Sequence, residues 1–452
     1  VRPIQTGAPY VLPPAMLTTL PSLKESQTAW QERVALVPTS LKKMLMQSYG
    51  GLSSALIQSL TTAADLSPAQ PGDTLTQADW DRLFEVWQQW LTRLDQGRFQ
   101  PGWTAQGYTV LGWDMTAPAD SIHTLLDDYY RQQLNLQQFD RLKNQLQQKL
   151  KGVLGKLRQK ADTFTQRLDQ SAQADQYRQQ ADLLITYAHQ WQPGQTEMVV
   201  EDFATEKPVK IAIDPDKTAI QQAQRLYKQH QKLKRAKDAV APLLASVQAE
   251  LSYLEQVEAA IAQLTCYTEP ADLEALIDIR HELIQQGYMA DPNYRPGDSR
   301  QTKPDGFRHL KTPNALPVLV GRNNRQNDLL ISAVATDYDL WFHSQEIPGS
   351  HVLLRLGAGQ VPSDRDLQYV ADLAAYYSRA RQADQVPVVY TQPKHVYKPK
   401  GARPGMVIYK HETILWGQPR RIENQGTPPE NHTPRSVLTL TWGAIKYICS
   451  SG

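Results

Sequence analysis

Asp339–Val352 runs Asp-Leu-Trp-Phe-His-Ser-Gln-Glu-Ile-Pro-Gly-Ser-His-Val, and Lys398–Tyr409 runs Lys-Pro-Lys-Gly-Ala-Arg-Pro-Gly-Met-Val-Ile-Tyr. Short apolar runs bounded by Pro and Gly predict short strands and turns, the pattern of a compact α+β module. Alternation along the first run puts Trp341 and His343 on one face and Phe342 on the other, so only one of these sets is expected to meet the core. Ile347-Pro348-Gly349-Ser350 is expected to turn, with Gly349 permitting positive φ and close backbone approach. The two segments set imidazoles, amides, hydroxyls and a stiffened basic loop at strand edges, an arrangement suited to gripping a polyanion. Neither sets a nucleophile beside a base, so no catalytic residue is expected.

Working outward, Arg322-Asn323-Asn324-Arg325-Gln326-Asn327 follows an apolar run and opens a helix. Free backbone amides at a helix start, flanked by two guanidinium groups, form an anion site, while the side-chain amides suit base edges or 2′-hydroxyls. Asn and Asp also cap helices for purely structural reasons. Lys394, Lys398, Lys400 and Arg403 lie among Pro393, Pro399 and Pro404, which limits how far the like charges can separate. Contact with phosphates releases counterions there, although a solvated basic loop has the same letters. Tyr390, Tyr397 and Tyr409 offer either stacking or strand packing. His343 and His351 admit three readings: a metal pair, structural histidines, or histidines facing nucleic acid. Without a third ligand at suitable spacing or a nearby cysteine, no metal is expected.

Further strands are predicted near 317–320, 338–343, 350–355, 386–391, 405–409 and 412–416, with helices near 325–335 and 364–382. Residues 300–421 hold 17 Lys/Arg against 10 Asp/Glu, a balance of +7, together with five of the ten histidines. The chain's formal charge of +2 therefore averages a basic module with an acidic remainder of about −5 over residues 1–299. An ordinary solvated surface is the plainer reading of that charge.

Upstream, residues 124–190 form a Gln-rich helical stretch without Pro. Phe139, Leu142, Leu146, Leu150, Val153, Leu157, Ala161, Phe164 and Leu168 recur every three or four residues. A second stripe in 218–264 supplies the partner, predicting an antiparallel coiled-coil hairpin projecting on the order of 70 Å, with a bend at Pro242. The tip, 191–217, is expected to carry short strands. A spacer or a dimerising coiled coil would show the same periodicity. Residues 1–123 predict helices near 40–47, 53–63 and 77–94. Lys42–Ser53 there gives helix, Gly turn, helix, either a helix-hairpin-helix-like element or a simple glycine C-cap. A Pro/Gly-rich linker occupies 291–300.

At 452 residues, two to four domains are expected. Two distant cysteines, Cys266 and Cys449, give no disulfide framework and suit a reducing cytoplasm. No apolar run is long enough to span a membrane, so no membrane partner is expected. The start at Val1, without Met and in the middle of what reads as a domain, suggests N-terminal truncation.

The quoted segments and their setting resemble the C-terminal RNA-binding module of the NFACT family. The resemblance implies a multidomain α+β chain: the remainder of an N-terminal domain (1–128), a coiled-coil arm (129–265), a helix and linker (266–300), the RNA-binding module (301–420) and a tail of unassigned role (421–452). It implies an RNA-binding adaptor in ribosome quality control, not an enzyme, and without a cofactor. The expected partners are rRNA of large ribosomal subunits obstructed by peptidyl-tRNA, tRNA recruited for template-free alanine tailing, and ribosomal proteins met by the arm. The expected location is cytoplasmic and ribosome-associated. On this reading RNA meets Arg322, Asn323, Asn324, Arg325, Gln326, Asn327, His343, Ser350, His351, Arg355, Lys394, Lys398, Lys400 and Arg403. The family's acidic–arginine motif for tRNA would lie before Val1. An older family name, fibronectin-binding protein, prompts an adhesin as the alternative, and the helix-hairpin-helix letters prompt a DNA glycosylase.

Overall fold

The computed structural model describes residues 19–105, 107–202, 206–291 and 306–424. The chain divides into two compact units, one ending at Leu134 and one beginning at Asn135. The predicted linker lies mostly, and the predicted tail almost wholly, outside the described residues.

In the first unit, α1 (Gln27–Val34), α2 (Leu41–Ser48), α3 (Ser54–Ala63) and α4 (Gln77–Asp95) enclose an aromatic core. Thr76 and Asp79 cap the start of α4 reciprocally. Trp80, Leu83, Trp87 and Trp90 then recur at helical spacing and are buried, with Trp87 packed 5.8 Å from Trp30 and 4.9 Å from Tyr49. The α2–α3 connection is the expected glycine turn, Gly51 adopting φ +83° before Ser53 caps α3. A three-stranded meander follows: β1 (Gly102–Thr104), β2 (Gly107–Thr109) and β3 (Met115–Pro118). It was not predicted, because strands of three or four residues broken by Gly and Pro carry too few alternations to register.

The second unit contains the arm, made of α5 (Ile122–Ala172) from Asn135 onward, α6 (Ala174–Thr186) and α7 (Ala219–Gln263). Partner numbers fall along α7 as they rise along α5 and α6, so the helices run antiparallel. Lys143 Nζ donates to Thr265 O at 2.7 Å, Arg158 pairs with Glu255 at 2.9 Å, and His230 Nδ1 lies 2.9 Å from Ala174 O. The expected single helix over 124–190 is interrupted at Gln173, beside that His230 contact. α7 continues through Pro242. Burial is uneven. At the base, Phe139, Leu146, Leu150 and Leu154 join Tyr253, Leu254 and Val257. Midway, Leu157, Ala161, Phe164 and Leu168 are only half-buried. At the tip, β4 (Glu197–Asp202) and β5 (Lys207–Ala212) form a hairpin whose Met198, Val200 and Ile211 pack on Leu184, Ala223 and Leu226.

α8 (Pro270–Gln285) sends Leu273, Leu276, Ile279 and Leu283 into the base core of the arm. Beyond it stand β6 (Arg308–Lys311), β7 (Pro317–Val320), α9 (Asn324–Leu329), β8 (Leu340–Ser344), β9 (Val352–Leu354), α10 (Asp364–Tyr376), β10 (Val386–Thr391), β11 (Val396–Tyr397), β12 (Ile408–Tyr409), β13 (Thr413–Gly417) and α11 (Pro419–Asn424). Six strands make one antiparallel sheet in the order β13-β10-β8-β9-β7-β6. Phe342, Val352 and Val388 face α10, whereas Trp341, Leu353 and Val389 pack on Leu330 and on Val396 beside β12. Both faces are thus covered, and the expectation that one set from β8 would stay outside the core is corrected. Gly349 does not take positive φ; Glu346 does, at +55°. Gly349 instead permits close approach, since a Cβ there would lie 3.1 Å from the Ser378 Cα and the Tyr377 oxygen.

Candidate nucleic-acid interface

The loop entering α9 is built against an acidic face of α8. Glu269, Asp272, Asp278 and Glu282 repeat along that helix and its N-cap, on the side facing the loop. Arg322, only 2% exposed, donates to Asp272 at 2.7 Å, to Glu269, and through Nε to Gly306 O at 3.0 Å. Asn323 caps α9 by accepting from Gln326 N at 2.9 Å, and its amide reaches Ala275 O. Asn324 donates to Glu282 at 3.0 Å. The Gln326 side chain accepts from Arg322 N at 2.9 Å, and Asn327 Oδ1 accepts from His351 N at 3.0 Å. Arg325, half-buried, donates to Gln285 at 2.5 Å. Burial raises the carboxyl pKa values of Asp278, Glu282 and Asp328, with the facing amides, hydroxyls and cations pulling back.

The histidines are internal as well. His343 stacks at 5.8 Å on Trp341, and His351 lies edge-on to both rings. Burial lowers the His343 pKa to about 4 and the His351 pKa well below its usual value, so both rings are neutral at pH 7. Ser350 donates to Gly321 O at 2.6 Å. Arg355 pairs with buried Asp339 at 3.1 Å, and Asp339 also accepts from Leu356 N. Among the predicted contacts, then, Arg322, Asn323, Asn324, Gln326, Asn327, His343, Ser350 and His351 are interior groups. The helix start assigned to a phosphate is filled by the protein's own side chains. Among the described residues no cluster of three or more His, Cys, Asp or Glu is arranged for a metal ion.

The basic loop divides in two. Lys398 pairs with Asp328, whose other oxygen accepts from Gly405 N at 3.1 Å. Arg403 donates to the Tyr288 hydroxyl at 2.6 Å and lies 4.9 Å over the Tyr253 ring. Gly405 adopts φ +77° where a Cβ would strike the Asn324 amide at 2.6 Å, which fixes the loop's path. Lys394 and Lys400 remain exposed, with no carboxylate within 4 Å among the described residues.

β11 and β12 pair as a two-stranded ribbon that adds groups missed from the sequence. Tyr397 stands opposite Ile408, and Lys410 N donates to His395 O at 3.1 Å. The His395 and His411 rings lie 4.7 Å apart, and Lys410 Nζ sits 5.7 Å over the Tyr397 ring. The eighteen residues 394–411 contain five Lys/Arg, two His and no Asp or Glu. That count was a readable signal for Lys410, His395 and His411. The acidic spacing of Glu269, Asp272, Asp278 and Glu282 was the corresponding signal that the arginine loop had a partner.

Comparison with known proteins extends over nearly the whole chain. The description "NFACT N-terminal and middle domains" matches residues 1–302, and "NFACT protein RNA binding domain" matches residues 306–411. A protein of Streptococcus suis named "Rqc2 homolog RqcH" is 33% identical over 320 residues, covering 70% of this chain and 56% of that one. The Bacillus subtilis protein of the same name is 28% identical over 433 residues, covering 92% and 71%. A solved structure, the C-terminal part of the fibronectin/fibrinogen-binding protein from Streptococcus suis, is 28% identical with a TM-score of 0.46, covering 63% of this chain and 98% of that one. The chain spans about half the length of the streptococcal relatives it matches. With one family description matched over residues 1–302 and the other over residues 306–411, the chain belongs to the NFACT family.

Proposed function

We propose that the protein is an RNA-binding adaptor of ribosome quality control. It binds large ribosomal subunits that carry obstructed peptidyl-tRNA and recruits tRNA for template-free C-terminal alanine addition, with the chemistry done by the ribosome. It works in the cytoplasm, on the ribosome. The observation that carries this reading is the acid-free ribbon, with Lys394, Lys400 and Lys410 exposed and without carboxylate partners among the described residues, inside the segment that matches the NFACT RNA binding domain. The relatives named "Rqc2 homolog RqcH" support the ribosomal setting. Lys398 and Arg403 lie in the same basic stretch but are held by Asp328 and Tyr288, and Arg325 and Arg355 are held by Gln285 and Asp339. Contacts with ribosomal proteins fall to the arm.

The test is co-sedimentation with large subunits at moderate salt. Reversing Lys394, Lys400 and Lys410 together to Glu is expected to abolish it. Undiminished sedimentation of a folded triple variant overturns the reading.

A further inference from the structure

The ribbon holds its cations and its flat rings in alternation, and that pattern has a structural specificity of its own. Lys394, Lys400 and Lys410 are exposed, and between them lie Tyr397, 41% exposed, and the His395–His411 pair. The ribbon's inner residues, Val396 and Tyr409, pack onto the Trp341 side of the sheet, which holds the outer ones in place. Desolvation, His411 and Lys394 lower the His395 pKa, so at neutral pH this ring is an uncharged, stackable plane.

A base-paired helix offers phosphates and 2′-hydroxyls but keeps its base faces stacked inside, so it gains nothing from exposed rings. An unpaired strand offers both phosphates and open π-faces, and every base can stack. We infer that the β11–β12 ribbon is a site for unpaired RNA nucleotides, with bases stacking on Tyr397 and the His395–His411 pair and phosphates held by Lys394, Lys400 and Lys410. This rests on the RNA-binding reading above and adds the form of RNA that is taken. The neighbouring Glu412 lies outside the acid-free stretch and bounds the site at its β13 end.

The experiment uses the whole chain and two fluorescent probes, a 12-nucleotide oligouridine and a 12-base-pair RNA duplex, read by anisotropy at one salt concentration. The single strand is expected to bind at least tenfold more tightly. Tyr397→Ala should raise its Kd about fivefold or more, as removal of one stacking ring does, while Tyr397→Trp restores it. Duplex binding should be unchanged in both variants, and Tyr338→Ala, an exposed ring elsewhere in the module, should change nothing. Equal affinity for the two probes, or an undiminished single-strand affinity in Tyr397→Ala, overturns this inference while leaving a duplex-binding adaptor intact. Failure of the unmutated chain to co-sediment with large subunits, with oligouridine still bound, would instead remove the ribosomal reading.

Discussion

The Arg322–Asn327 loop and the 394–411 ribbon look alike as sequence, each a cluster of cations and hydrogen-bonding groups beside an apolar strand. In the fold they have opposite fates. The first is drawn inside by carboxylates some fifty residues upstream on α8, and its arginine becomes one of the most enclosed charges in the chain. In the second, among the described residues, only Lys398 meets a carboxylate, that of Asp328, and Lys394, Lys400 and Lys410 stay at the surface. Whether a basic motif serves binding or architecture is thus decided by where the acids are, which no local reading of the motif can supply.

The contrast breaks most sharply at Asp272. Its pair with Arg322 is enclosed on both sides, with side chains 1% and 2% exposed, so removing Asp272 takes away the buried partner of Arg322 and leaves the more exposed Glu269 to compensate it. Asp272→Ala should lower stability by about 3–5 kcal/mol. A double variant, Asp272→Leu with Arg322→Met, should recover much of the loss, as read by chemical unfolding. Full stability of the single variant would show that Glu269 alone compensates Arg322.

An effect confined to acidic pH follows from the buried imidazoles. Their folded pKa values lie below the unfolded value near 6.5, so the unfolded chain takes up protons first as pH falls. The stabilisation present above pH 6.5 should be lost progressively toward pH 4, by up to about 1.4 kcal/mol per pH unit for each histidine. Hydrogen-exchange protection of β8 amides measures this, and His343→Phe should flatten the slope. If protection is level from pH 7 to 5, the rings are not enclosed.

On the ribbon, stability should hardly move. Lys394→Glu, Lys400→Glu and Lys410→Glu should each stay within about 0.5 kcal/mol of the parent. For a single strand, abolishing one lysine–phosphate pair should reduce the slope of log affinity against log salt by about 0.7. Smallest of all is Arg158→Ala on the arm, which removes a half-exposed pair with Glu255 and should cost no more than about 1 kcal/mol in thermal unfolding.

Much of the architecture was legible because periodicity is a local property. The stripes of α5 and α7, the glycine turn at Gly51 and the strands at 317–320 and 386–391 could be read from spacing alone. Tertiary context governed the rest. The break at Gln173 accompanies a contact from His230, and the burial of both β8 faces depends on the ribbon folding back over Trp341. Of the candidate site, Lys394 and Lys400 are surface cations as read, while Lys410, His395 and His411 were overlooked because they stand apart from the proline-flanked cations that drew attention.

α8 belongs to two interiors at once, its leucines to the arm and its acids to the arginine loop. A fragment beginning at Gly306 would part Arg322, Asn324 and Arg325 from Asp272, Glu282 and Gln285. Such an isolated domain would display an artificial cationic patch, and the RNA affinity measured on it would overstate that of the intact chain.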